Sequence, residues 1–230
     1  MNLWVAFAGL LAGAIVWACL VRRLTSKSWE RHPDVIDTMG AGVANLPPAR
    51  IGLWIFLAVV TSLFGLFISA YFMRMGHGHG ADHSMSDWSS ITKPPILWLN
   101  TVLLIAGSVA MQAARHAVTR AQPSRATFAL TSGGLLTCVF LIGQLIAWRQ
   151  LSSSGYFITS NPAAAFFYVL TAVHGLHLLG GLLVWGKTLM RLSKADIELI
   201  DVRLSVELCT VYWHYLLLIW LVLFALLLST

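Results

Sequence analysis

The stretch FFYVLTAVHGLHLLGGLLVWGK, residues 166–187, decides the fold of this chain. It is apolar throughout except for a few polar side chains and a terminal lysine, and it is as long as the roughly 20 residues with which an α-helix crosses a bilayer. Six runs of this kind occur, at 2–21, 51–73, 96–114, 127–148, 163–187 and 206–229. We therefore predict an all-α bundle of six transmembrane helices.

The overall composition supports a membrane protein. Hydrophobic residues make up 58% of the 230 positions and charged residues 10%, against roughly one quarter charged in soluble domains. Strands of a membrane barrel alternate between apolar and polar residues, whereas these runs are unbroken. The composition thus excludes a soluble domain and favours helices.

The basic residues indicate how the helices are oriented. Twelve of the fifteen lie in alternate links between runs, and only Arg74, Lys93 and Arg149 lie on the other side. Because basic loops stay in the cytoplasm, we predict that both termini lie on the outer, periplasmic side. The net charge of +6 is thereby explained by topology, and no nucleic-acid partner is expected.

Four ionisable side chains lie inside the last two runs. His174 and His177 are three positions apart, and Glu207 and His214 are seven apart, so each pair shares one face of its helix. At 1.5 Å per residue, His177 and His214 lie at similar depths, roughly 15 and 12 Å from the inner end. We expect the four groups to form a polar seam, buried and hydrogen-bonded between the fifth and sixth runs.

Three functions are open for this seam. Imidazoles on facing helices could ligate a haem. A chain of His and Glu side chains could line a proton or ion path, as intramembrane ionisable residues often do. The third interpretation, a structural seam that joins helices, is favoured because the other runs offer few polar groups.

A second histidine cluster lies in the predicted outer loop. Soft copper ions favour histidine and thioether ligands, which occur here as His77, His79 and His83 beside Met73, Met75 and Met85. The alternative is an ordinary solvated, glycine-rich loop, and that alternative is favoured. The sequence therefore offers His77, His79 and His83 as a candidate external copper site.

Several motifs resemble subunit III of the haem-copper terminal oxidases, the cytochrome c oxidase subunit III family. FFYVLTAVHGLHLLGG (166–181) resembles the penultimate helix of that family, and ELCTVYWHYLLLIW (207–220) resembles its last helix. RIGLWIFL (50–57), LWLNT (97–101) and Gln144 are similar to elements of the preceding helices. The resemblance covers residues 50–229 in order. It implies a five-helix core at 50–230. The run at 2–21 adds one extra transmembrane helix and a cytoplasmic loop at 1–49, whereas members of the family tend to have two preceding helices or none.

The resemblance implies an accessory subunit without a redox centre of its own. Haem and copper would belong to partner subunits I and II, and subunit I would couple oxygen reduction to proton pumping. His174, His177, Glu207 and His214 match family positions that join helices. The resemblance also implies bound phospholipid, with Arg50 and Arg191 as candidate headgroup contacts. It implies that the protein lies in the bacterial cytoplasmic (inner) membrane.

The chain departs from the family pattern at three acidic positions. They are occupied here by Val60, Leu217 and the pair Ala147 and Trp148. A structural and lipid-binding role is therefore expected more than a proton-handling one. An accessory subunit of a nitric oxide reductase is the nearest alternative. A stand-alone copper transporter or delivery protein, built on the outer histidine loop, is the alternative from a different class.

Overall fold

The computed structural model describes residues 47–77, 95–157, 161–192 and 199–228. These ranges contain five α-helices: α1 (Pro48–His77), α2 (Ile96–Thr119), α3 (Pro123–Ser153), α4 (Pro162–Leu192) and α5 (Leu199–Leu228). Each helix is long and apolar enough to cross a membrane. The all-α prediction is thus confirmed, and five of the six predicted runs lie within these helices. The first run, 2–21, lies outside the described residues.

Prolines define where the helices begin. α1, α3 and α4 start at Pro48, Pro123 and Pro162, and Pro95 caps α2. Proline is tolerated in the first helical turn, because the N–H that it lacks has no partner within the helix there. The helices also extend several residues beyond the predicted apolar runs; α3, for example, spans Pro123–Ser153 where the run at 127–148 was predicted.

The chain divides near residue 80 into two compact units, and α1 belongs to the first. Its buried side chains, Leu57, Val60, Phe64 and Tyr71, recur at helical spacing and form one face. Thr61 is exposed, but its hydroxyl donates to the carbonyl of Leu57 at 2.7 Å. The polar group is thereby satisfied within its own helix.

The second unit contains α2, α3, α4 and α5. α2 packs against α3 and α5, and α4 packs against the same two helices. Large side chains fill the centre, among them Trp220, Phe140, Met111 and Leu178, all fully buried. This unit is therefore a four-helix bundle with a closely packed core.

Glycines allow the helices of the bundle to approach closely. A Cβ on Gly133 of α3 would lie 3.0 Å from Met111 and 3.3 Å from the carbonyl oxygen of Gly107, both on α2. A Cβ on Gly134 would lie 2.2 Å from the indole ring of Trp185 on α4. Small residues thus set the spacing of α3 from both neighbours.

Candidate functional site

Tryptophan indoles donate hydrogen bonds to threonine hydroxyls at three helix interfaces of the bundle. Trp148 of α3 donates to Thr171 of α4 at 3.0 Å. Trp213 of α5 donates to Thr137 of α3 at 2.9 Å. Trp220 of α5 donates to Thr101 of α2 at 3.0 Å. An indole N–H is a donor only and finds no acceptor in hydrocarbon. These contacts therefore join helices while satisfying a polar group that lipid cannot.

The three threonines accept these bonds because their own protons are already used. Each hydroxyl donates to the carbonyl four residues earlier in its helix, which leaves the oxygen lone pairs for the indole. The carbonyls belong to Leu97, Gly133 and Phe167, at 2.9, 2.9 and 2.6 Å. All three threonines are buried, so each contact is a complete hydrogen-bond unit inside the bundle.

Backbone carbonyls accept a second set of interhelical bonds. Trp185 donates to the carbonyl of Leu130 and Tyr212 to that of His177, both at 2.8 Å. The single hydroxyl proton of Thr210 is shared between the carbonyl of Val206 in its own helix, at 2.8 Å, and that of Met111 on α2, at 3.1 Å. A helical carbonyl has a second lone pair beside the one used in its own helix. Side chains of α4 and α5 thus bind neighbouring helices without requiring a polar side chain opposite.

His174 lies at the centre of the bundle with an exposed fraction of 0%. Its ring centroid is 5.4 Å from that of Trp220 and 6.0 Å from that of Phe140, the latter nearly perpendicular. Among the described residues, no group lies within hydrogen-bonding distance of either ring nitrogen. The imidazole is therefore packed as an aromatic ring rather than joined to the other predicted seam residues.

Asn100 of α2 and Gln144 of α3 form a buried pair of amide side chains. The Asn100 amide donates to Oε1 of Gln144 at 3.3 Å. The Asn100 side chain fits against α3 only because residue 143 is a glycine, since a Cβ there would lie 2.2 Å from Oδ1 of Asn100. Oδ1 of Asn100 and Nε2 of Gln144 find no further partner among the described residues.

His177 is bonded within its own helix. Its Nδ1 lies 2.7 Å from the carbonyl oxygen of Val173. Because a carbonyl only accepts, Nδ1 carries the proton. The Tyr212 hydroxyl donates to the carbonyl of His177, so the side chain of Tyr212 on α5 reaches the turn of α4 that carries His177.

His214 and Glu207 share one face of α5, but that face meets α2. His214 bonds to Ser108 through Nδ1 and to Gln112 through Nε2, the latter at 3.2 Å. Glu207 forms an ion pair with Arg115 of α2 at 3.2 Å. The prediction that His214 lies at the interface with the fifth run is wrong, because the face of α5 towards α4 carries other side chains, including Tyr212.

The remaining candidates lie at helix ends or beyond them. Arg50 is half-buried in the first turn of α1, and Arg191 is exposed in the last turn of α4. His77 is the last residue of α1, whereas His79 and His83 lie outside the described residues. Within the described ranges, no group of three or more His, Cys, Asp or Glu side chains could hold a metal ion.

The indole–threonine contacts are the feature that sequence reasoning missed. Trp148 and Trp185 lie near the ends of predicted runs, which suggests headgroup contacts, yet both N–H groups bind a neighbouring helix. A signal was present for α5, since Trp213 and Trp220 are seven residues apart and so share one face. Their acceptors, Thr137 and Thr101, are buried and lie within apolar runs.

Comparison with known proteins assigns the chain to a family. The model of the family described as cytochrome c oxidase subunit III matches residues 19–229. The cytochrome c oxidase subunit 3 of Corynebacterium diphtheriae is 28% identical over 196 residues, which are 84% of this chain and 94% of that protein. The corresponding protein of Thermostichus vulcanus is 28% identical over 200 residues, 84% and 95% of the two chains. That of Bacillus subtilis is 25% identical over 204 residues, 88% and 93%.

These matches agree with the architecture. The five apolar helices and the bacterial relatives show an integral protein of the bacterial inner membrane. The relatives are matched over nearly their whole length, and the family model extends over the last four helices, α1 and part of the preceding region. The chain belongs to the cytochrome c oxidase subunit III family.

Proposed function

We propose that this chain is a non-catalytic subunit that stabilises a haem-copper oxidase. Subunits I and II would hold the haem and copper, and subunit I would reduce oxygen and pump protons. The observation that best supports this proposal is the set of three indole–threonine bonds. These buried polar contacts serve helix packing, which suits a structural subunit of a larger assembly.

The four predicted seam residues fit this structural role through different contacts. His174 packs between aromatic rings, His177 bonds to its own helix, and His214 and Glu207 join α5 to α2. Each of the four side chains thus packs against other side chains or bonds to another residue of this chain. We infer that the four side chains hold the fold together and take no part in redox chemistry.

A proton-handling role receives little support from the three altered acidic positions. Val60 is buried in the first unit, Ala147 is fully buried beside Trp148, and Leu217 is half-buried. None of these side chains exchanges protons. We infer that any proton path of the complex runs through the partner subunit.

The extra helix and the orientation complete the proposed topology. We infer that residues 1–49 add a sixth membrane span and an inner loop to the core at 50–230, with both termini outside. The distribution of basic residues supports this orientation. Phospholipid would bind near Arg50 and Arg191, whose positions at helix ends suit contact with headgroup phosphates.

The test is affinity purification of the tagged chain in mild detergent, followed by identification of the chains that travel with it. Large subunits carrying haem and copper of an oxidase support the proposal. Nitric oxide reductase subunits in their place would support that alternative. A lone chain that retains copper in stoichiometric amount, and loses it when His77, His79 and His83 are replaced, would establish a copper-delivery protein and overturn the proposal.

A further inference from the structure

Four buried polar atoms at the centre of the bundle have no hydrogen-bond partner among the described residues. They are Oδ1 of Asn100, Nε2 of Gln144 and both ring nitrogens of His174. The three side chains are 0%, 4% and 0% exposed. Leaving a buried donor or acceptor without a partner destabilises a fold, and the large majority of such atoms in proteins bond to protein or to ordered water. The three side chains therefore call for a common explanation.

Contacts with α5 place Asn100 and His174 at the same depth. Trp220 donates its indole N–H to Thr101, the neighbour of Asn100 on α2, at 3.0 Å. The ring centroid of Trp220 also lies 5.4 Å from that of His174 on α4. Asn100 itself bonds to Gln144 of α3 at 3.3 Å. One layer of the bundle thus holds polar side chains from α2, α3 and α4, packed around the same indole.

Contacts between α3 and α4 place Gln144 beside the same turn of α4. The indole of Trp148 bonds to Thr171 at 3.0 Å, and the ring centroid of Phe140 lies 6.0 Å from that of His174. Gln144 is one helical turn from both Phe140 and Trp148 and shares their face. It therefore lies opposite the turn of α4 that runs from Thr171 to His174.

The atoms without partners are complementary to one water molecule. The Gln144 amide offers an N–H, and a neutral imidazole has one nitrogen that accepts. Oδ1 of Asn100 is a second acceptor. One water would accept from Gln144 and donate to His174 and Asn100, which gives the three hydrogen bonds that a buried water typically makes. The other imidazole nitrogen keeps the aromatic contacts with Phe140 and Trp220.

We propose that the centre of the bundle is a binding site for one buried water molecule, held by the Gln144 amide, the His174 imidazole and Oδ1 of Asn100. Because His174 is twelve residues from Pro162, where α4 begins, the site lies roughly 18 Å from that end of the helix. Acyl chains supply no hydrogen-bond partner at this depth. The water would join α2, α3 and α4, and the site requires no contact outside these helices and α5.

Solid-state NMR of the full chain in lipid bilayers, with 15N-labelled histidine, detects such a water. Magnetisation is transferred from water protons to the imidazole nitrogens, and the His174 signals are identified by their loss in His174→Leu. We expect a water cross-peak at His174 in the unaltered chain. An imidazole that receives no magnetisation from water would overturn the proposal without any need for a variant at the site.

A pair of matched variants tests which residues hold the water. Gln144→Leu should abolish the cross-peak at His174. Gln112→Leu is the same change in a glutamine that bonds to His116 and His214 instead, and it should leave the cross-peak in place. A cross-peak that persists in Gln144→Leu would show that the Gln144 amide is not part of the site.

A double-mutant cycle of Gln144→Leu and His174→Leu provides a second measurement. Since one water links the two side chains, either substitution releases it. Gln144→Leu should therefore change the equilibrium constant of unfolding less in the His174→Leu background, by a factor of at least about two. Equal changes in the two backgrounds, measured by detergent unfolding of the purified chain, would contradict a shared water.

Discussion

Thr101→Val tests whether the indole–threonine bonds stabilise the bundle. Valine has nearly the shape of threonine, so the substitution removes the acceptor of the Trp220 N–H without opening a cavity. Thr101 and Trp220 are both buried, and the N–H lies 3.0 Å from the hydroxyl oxygen. The indole N–H would be left unpaired inside the bundle.

The expected magnitude follows from that unpaired group. A buried donor without a partner costs about 1–3 kcal/mol, and polar contacts between membrane helices average about 0.6 kcal/mol with a maximum near 1.7. We therefore expect Thr101→Val to lower the free energy of unfolding by about 1–2 kcal/mol. In a Trp220→Phe background no N–H is left unpaired, and the same substitution should cost almost nothing.

The assay is unfolding of the purified chain by sodium dodecyl sulfate in mixed micelles, followed by circular dichroism, with all four members of the double-mutant cycle. Thr188→Val is the matched control. Its hydroxyl bonds to the carbonyl of Val184 at 3.0 Å and lies 3.6 Å from the sulfur of Cys209, a weak hydrogen-bonding group. Equal costs of Thr101→Val in the two backgrounds would show that the bond contributes nothing and would refute the reasoning.

Three further predictions rest on single side chains. His174→Leu should lower the free energy of unfolding by about 1–3 kcal/mol, because releasing the proposed water leaves Nε2 of Gln144 without a partner; an unchanged or higher value would show that the imidazole makes no hydrogen bond. Gly134→Ala should destabilise by about 1–3 kcal/mol by displacing the Trp185 ring, whereas Gly186→Ala, which meets nothing within 4 Å, should be tolerated in the same assay. Arg50→Gln should weaken retention of anionic phospholipid by about 1 kcal/mol, roughly fivefold, as measured by lipid analysis of the purified complex; unchanged lipid content would remove Arg50 as a contact.

The helices could be predicted from the sequence because the bilayer imposes their length. Runs of about 20 apolar residues have one stable conformation in hydrocarbon. The prolines at 48, 95, 123 and 162 then fix where helices begin. The position of each helix along the chain therefore required no knowledge of its neighbours.

The orientation of each helix about its axis could not be predicted in the same way. The spacing of Glu207 and His214 correctly predicts a shared face, but not that this face meets α2. In a soluble protein the polar side of a helix marks solvent, whereas here lipid-facing and buried faces are both apolar. The pairing of Thr101 with Trp220, 119 positions apart, likewise depends on which helices become neighbours.

The central claim, that this chain supports an oxidase without holding a redox centre, is tested most directly by haem and copper analysis. The intact complex is compared with the same complex after this chain has been removed by detergent. We predict that the remaining subunits keep all their haem and copper and an unshifted absorption spectrum. Haem or copper leaving with this chain in stoichiometric amount would contradict the account.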